Sequence, residues 1–520
     1  MKLHAFILIS LIGVLSGGSN GTETARGFVF QDENENGSRE AGEPGVPGIR
    51  VSNGREVVQT DPEGGWELPV TDDTILFVIK PTGWRVPVSE AQVPQFYNNH
   101  KPNGSPELQT PGVAPTGPLP ESIDFALYPQ EEPTKFSTLF FGDPQARGMR
   151  EVDFVTHDVV EECIGMDAAF GMSLGDIVAD DPELFGVLNE SIAQIGVPWY
   201  NVFGNHDYNR GVTEDRWADE TFERYYGPST YAFEYGGVSF IPLNNIYFKP
   251  EGGYTAKLRE GQIEFIRNYL STAPEDQLVV LTMHAPIVRC ENSGELFRIL
   301  EKRPHTLSIS AHYHQQVHFF LTERWGWQGE QPHHHFVNAT VSGSWWCGFK
   351  DELDIPHATM NDGAPNGYSI VTFDGHDYSI RFKAARRPED YQMNIYAPSE
   401  IASASAAGTE VLVNVFAGSE RSTVEMKFGE SGEWTAMAQT RAADPECLRM
   451  HELGEYLDLE HNGTKLDEVF GWKMDRPREN SHMWLGHLPP NPEVGTHTLT
   501  VRTTDMFGQT YTDHRVVRVR

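Results

Sequence analysis

The run Gly204-Asn205-His206-Asp207 sets an amide, an imidazole and a carboxylate side by side, and further donors stand at intervals around it. Asp143, Gln145 and Asp176 precede it; His284, His312 and His314 follow. Carboxylate and amide oxygens with imidazole nitrogens are ligands that a pair of divalent transition metals can share. Each has a plain alternative when taken singly. A strand-end Asp or Asn caps the next helix, and His312 and His314, alternating on a strand, also suit a core or interface face.

Such donors need elements that bring them together. Each run follows an apolar stretch rich in β-branched or aromatic residues: STLFFGD, FGMSLGD, WYNVFGNHD, QLVVLTMH and TLSISAHYH. These predict buried parallel strands with the donors at their C-terminal ends. Helical spacing fills REVDFVTHDVVEECI, DPELFGVLNESIAQIG, EDRWADETFERYYG and LREGQIEFIRNYLST, and Gly236-Gly237 turns a hairpin in YAFEYGGVSFIPLNN. Two sheets sandwiched between helices fit this order.

The motif order DxQ, GD, GNHD, H and HxH resembles the calcineurin-like metallophosphoesterase superfamily from about Phe136 to Ala385. The resemblance implies an α/β sandwich (αββα) holding two divalent transition metals, manganese, iron or zinc. It implies Asp176 as the bridging ligand, with Asp143, Gln145 and His314 on one ion and Asn205, His284 and His312 on the other. It further implies hydrolysis of phosphate mono- or diesters, a hydroxide generated by the metals attacking phosphorus. His206, beside a ligand without being one, is expected to assist the leaving group, and Asp207 to orient its ring. Gln145 departs from the usual His and is a weaker donor; Ala311 replaces a Gly. Ala179 stands where purple acid phosphatases carry a charge-transfer Tyr, which speaks against that subfamily.

Substrate contacts are expected from Arg147, Arg150 and Arg210, just past the donor loops, whose guanidinium groups could fork onto phosphate oxygens. Solvated helix starts are the ordinary alternative. Tyr208 adjoins the GNHD run. Trp345 and Trp346 could stack on the organic part of a substrate, or pack in the core. His333-His334-His335 reads as a loop entering a strand.

A chain of 520 residues exceeds one core. Its net charge of −34 makes nucleic acid and anionic membrane poor partners for the surface as a whole. A small-molecule or polymeric phosphoester must therefore be drawn in by local cations. The start, MKLHAFILISLIGVLSGG, reads as a signal peptide over residues 1–18, so the protein is expected to be exported, periplasmic or extracellular. No later stretch is long and apolar enough to span a bilayer. Cys290 and Cys347 each follow a donor motif, so a disulfide between them is one expectation and unpaired burial the other.

Residues 24–130 are predicted to form a β-sandwich. Within it Asp32, Asn34, Asn36, Ser38 and Glu43 match a calcium loop with Gly37 at the turn. This run resembles the B-type β-sandwich repeats of bacterial surface adhesins, which implies calcium. The catalytic unit is placed at 136–387, and 393–520 reads as a second all-β sandwich of Ig-like type. The three-part order resembles certain exported bacterial calcineurin-like phosphoesterases. A calcium-stabilised adhesin or carbohydrate-binding protein with a retired central domain is the second function these residues allow. Oligomeric state is not legible.

Overall fold

The computed structural model describes residues 23–356, 358–461 and 474–520; the segment read as a signal peptide lies outside the described residues. The apolar runs form two central sheets. In the first, Trp199–Asn201, Phe170–Ser173 and Lys135–Phe141 run parallel, and the hairpin Gly367–Asp374 and Asp377–Ala384 completes the sheet antiparallel. In the second, Val238–Leu243, Val279–Met283, Thr306–Ser310 and His333–Val337 are parallel, edged by the antiparallel Phe233–Tyr235 and Val317–Leu321. Strands buried on both faces read as continuous apolar runs, which is why Val279–Met283 shows no alternation. Rings lock the sheets together. Phe170 of the first lies 5.0 Å from Phe240 of the second, which in turn meets Phe373 at 5.3 Å.

The predicted helical segments are helical. The best formed is Glu260–Leu270, which turns Ile263, Phe265, Ile266 and Tyr269 inward. Gly236 and Gly237 make the expected hairpin turn with φ of 55° and 84°, a left-handed pair that glycine adopts without steric cost. One expectation fails: His333, His334 and His335 are not a loop but the first residues of a buried strand. Polar neighbours make this possible. Ile287 N–H donates to His335 Nε2, so Nδ1 carries the ring proton and meets Ser308 Oγ at 2.7 Å. Ser308 Oγ also lies 2.7 Å from His333 Nε2, and His333 Nδ1 lies 2.8 Å from Thr306 Oγ1.

The flanks are β-rich, as expected. The N-terminal region has two four-stranded sheets and the C-terminal region one of four strands and one of five. The N-terminal core does not close on itself. Phe77 packs on Phe265 at 5.6 Å and Phe96 on Tyr231 at 5.0 Å. Buried Lys101 pairs with Asp73 at 2.9 Å and, across the junction, with Glu220 at 2.7 Å and Glu223 at 2.6 Å.

The C-terminal region also holds the helix Pro445–His461, which a purely β reading missed. Its cap was legible: Asp444 Oδ1 accepts from the N–H groups of Glu446 and Cys447, with proline at the first helical position. The region grips the segment after His314. Asn414 and Asn480 both donate to Asp362 O, while Asp362 Oδ2 accepts from Gln316 N. No described helix is long and apolar enough to cross a membrane. The expected disulfide is absent. All four cysteines are free and buried, Cys347 packing with Cys447 and Met474 rather than with Cys290.

Candidate metal centre

The donors converge where the parallel strands end. Glycine permits the close approach. A Cβ on Gly204 would lie 2.0 Å from Asp176 N, and one on Gly175 would lie 2.6 Å from His284 Nδ1. Asp143, Gln145, Asp176, His312 and His314 all hold left-handed backbone, with φ between 38° and 70°. Each such residue costs on the order of 1 kcal/mol, and strain of this kind gathers at functional sites.

His284 Nε2 lies 3.1 Å from Asp176 Oδ2, from Asn205 Oδ1 and from His312 Nδ1. His314 Nε2 lies 3.1 Å from Asp143 Oδ2. The far nitrogens fix the tautomers. His284 Nδ1 meets Leu174 O at 2.8 Å and His314 Nδ1 meets Gly343 O, so each Nε2 presents a lone pair inward. Lone pairs therefore face carboxylate and amide oxygens, an arrangement that needs a proton or a cation between them.

Without a metal, protons must fill that role. Burial opposes the charged form of His284, yet the Asp176 carboxylate overrides it and holds the ring at about 9. Burial and the His284 charge push His312 down to about 4. Asp176 stays well below the usual carboxylate range because the imidazoles outweigh its burial.

Protons do not satisfy everything. Gln145 Oε1 is buried without a hydrogen-bond partner, and Asp143 Oδ2, although near His314, makes no properly angled hydrogen bond. Orphaned buried acceptors are costly. Together with the inward lone pairs they fit a cation-binding donor set, in which Asp176, His284 and His312 offer ligand atoms within 4.8 Å of one another.

His206 hangs beside this cluster. Its N–H donates to Asp176 Oδ1 at 2.8 Å, while its ring Nδ1 lies 2.8 Å from Asp180 Oδ1. Burial works against its charge, but the Asp180 hydrogen bond raises it to about 9. The expectation that Asp207 orients this ring is corrected. Asp207 is buried and spends its oxygens on the N–H groups of Val178 and Gly204, bracing the loop instead. Asp180, missed in the sequence, is the partner.

The arginines singled out earlier are held by carboxylates. Arg147 pairs with Glu151, Arg150 with Asp354, and Arg210 with the second oxygen of Asp180 at 3.1 Å. Tyr208 stacks on Phe248 at 4.9 Å, and Trp345 lies 4.3 Å from His314. Trp346 is no stacking wall: it is 1% exposed and its Nε1 donates to Pro144 O, bracing the Asp143 loop from below. Tyr254, not anticipated, stands edge-on to His312 at 6.0 Å. Far from this centre, the Asp32 loop folds on itself. Asp32 accepts from Asn36 and Gly37 N–H groups and Glu43 from those of Glu33 and Glu40; Asn34 donates to Glu40, and Ser38 N donates to Asn36 Oδ1.

The chain belongs to the calcineurin-like phosphoesterases, metal-dependent hydrolases of phosphoesters. The family model described as calcineurin-like phosphoesterase matches residues 137–316, the model of its N terminal matches 33–110 and that of its C terminal matches 335–511. Among solved structures, a purple acid phosphatase from yellow lupin (Lupinus luteus) seeds is similar, at 11% identity over 65% of this chain and 67% of that one. Its TM-score of 0.36 is too low to bear on the site. No curated protein matches the chain.

Proposed function

We propose that the protein hydrolyses phosphate mono- or diesters at a centre of two divalent cations, held by Asp143, Gln145 and His314 on one side and Asn205, His284 and His312 on the other, with Asp176 between. The observation that carries this reading is the pair of orphaned acceptors, Gln145 Oε1 and Asp143 Oδ2, buried among inward lone pairs. When bound, such cations polarise the phosphoryl group and make water a nucleophile at neutral pH.

The chain's own part is to hold and move a proton. Asp180 fixes His206 through Nδ1, which leaves Nε2, on a side chain 35% exposed, to protonate the departing alcohol oxygen. Arg210 holds the other Asp180 oxygen and keeps that carboxylate from turning away.

The test is a panel of chromogenic mono- and diesters assayed with manganese, iron and zinc beside elemental analysis of the same sample. Turnover is expected with at least one ester, and loss of about 100-fold or more in His206→Ala and Asp176→Asn. Wild-type inactivity across the panel, with metal bound, would overturn the reading.

A further inference from the structure

Ile246–Phe248 and Tyr254–Ala256 pair as a small antiparallel sheet of their own, outside the two central ones. Its register decides what each face does. Phe248 stands opposite Tyr254, so both rings fall on one face, while Tyr247 opposite Thr255 takes the other. That other face is occupied by its neighbours. Lys257 Nζ lies 5.2 Å from the Tyr247 ring centroid, and Thr255 Oγ1 bonds Glu291 Oε1.

The first face turns to the metal centre. Tyr208, two residues after His206, stacks on Phe248 at 4.9 Å, and Phe248 meets Tyr254 at 6.2 Å. Tyr254 in turn stands 6.0 Å from the ring of His312. The rings therefore make an unbroken row from the loop of the proton donor to a donor of the second cation. The end of the row is bare. Tyr254 is 39% exposed, and among the described residues its hydroxyl makes no hydrogen bond. Its mount is nevertheless stiff. Phe248 N–H donates to Asp215 Oδ1 at 2.8 Å, and Arg259 clamps both Asp215 oxygens at 2.7 Å while donating to Ile246 O at 3.1 Å. The polar groups that hold the hairpin are spent on it, so this face presents ring surface and one free phenol.

We propose that Tyr254, carried on the Phe248–Tyr208 stack, is the specificity-determining surface of the centre. The preferred substrate is then a phosphoester whose alcohol part bears a flat aromatic ring close to the ester oxygen. The inference rests on the phosphoesterase reading and adds the substrate class. His206 protonates the departing alcohol, so the alcohol part lies on the side of the site where the row begins. A flat ring lodged there continues a series of ring pairs already spaced within the favourable range of about 4.5–7 Å. It also buries the exposed face of Tyr254 on a support that needs no rearrangement.

The experiment compares benzyl phosphate with cyclohexylmethyl phosphate, whose alcohols are similar in size and acidity, as monoesters or as their methyl diesters, whichever the enzyme turns over. Wild-type kcat/KM is expected to favour the benzyl ester about 5-fold or more, the scale of one aromatic stacking contact. The ratio should fall to about one in Tyr254→Ala and in Tyr254→Leu, which keeps apolar surface but not the ring, and should persist in Tyr254→Phe. A wild-type ratio near one, or a preference that survives in Tyr254→Leu, overturns the proposal. Calorimetric titration of the manganese-loaded full chain with benzylphosphonate and cyclohexylmethylphosphonate, which cannot turn over, separates the two readings. A benzyl preference in binding that Tyr254→Leu abolishes supports the aromatic surface even if no ester is hydrolysed, and equal binding of both phosphonates refutes it.

Discussion

Asp180 is the residue on which the proton chemistry turns, because it decides how long His206 stays charged. Against its burial, the Asp180 hydrogen bond pushes the ring above the ordinary histidine range, so activity that needs the imidazolium should persist to higher pH than a free imidazole allows. Asp180→Asn keeps the shape and removes the charge. The alkaline limb of the kcat profile should then move toward the ordinary histidine value of about 6.5, and kcat at pH 8 should drop about 10- to 100-fold with a smaller change in KM. An unmoved limb would show that Asp180 only packs. The metal donors themselves were legible because each sits inside a short motif at a strand end. Asp180 and Tyr254 were not. One depends on how a loop of left-handed residues turns back over His206, the other on a hairpin that returns from a distant strand, and neither turn leaves a local signature.

At the scale of elements, the strand His333–Val337 carries the clearest consequence. Burial pushes His333 down to about 3 and holds His334 and His335 well below their ordinary range. In the unfolded chain these rings take up protons near pH 6.5. The unfolded state therefore binds more protons as pH falls below that value, and stability declines with it. Each ring contributes about 1.4 kcal/mol per pH unit. Guanidinium midpoints at pH 7.5 and 5.5, both above the carboxylate range, should differ clearly; equal midpoints would mean the rings are solvated. This strand was misread because a triple histidine has no apolar pattern. Its hydrogen-bond partners, Thr306 and Ser308, belong to the neighbouring strand, so nothing local to the three histidines points to them. The helix Pro445–His461 was hidden for a different reason: its Asp-Pro start is plain, but the flanking runs are all strand-like. Asp444 also accepts from Tyr396 and Asn414, so Asp444→Ala should cost more than the roughly 1 kcal/mol of a lost cap, read by thermal unfolding.

For the whole molecule, the shared core at the N-terminal junction matters more than the count of domains that length suggests. Among the described residues Lys101 is the one cation paired with its cluster of three carboxylates, of which Glu220 is buried, Glu223 half-buried and Asp73 exposed. Lys101→Met leaves those charges without a partner and should cost about 3–5 kcal/mol in denaturant unfolding, while the additional variants Glu220→Gln and Glu223→Gln should recover part of the loss. The strand-like runs rightly indicated β-rich flanks. They could not reveal that Phe77 and Phe96 lie against Phe265 and Tyr231, because long-range packing has no spacing in the sequence.

That seam makes the N-terminal region from residue 23 onward a structural wall of the hydrolase and not a tether to be trimmed away. A shortened protein beginning near residue 136 would uncover aromatic rings and strand two glutamates without their lysine, inviting clumping before any assay could be run. Calorimetry of the intact chain should show these two regions melting together in one peak.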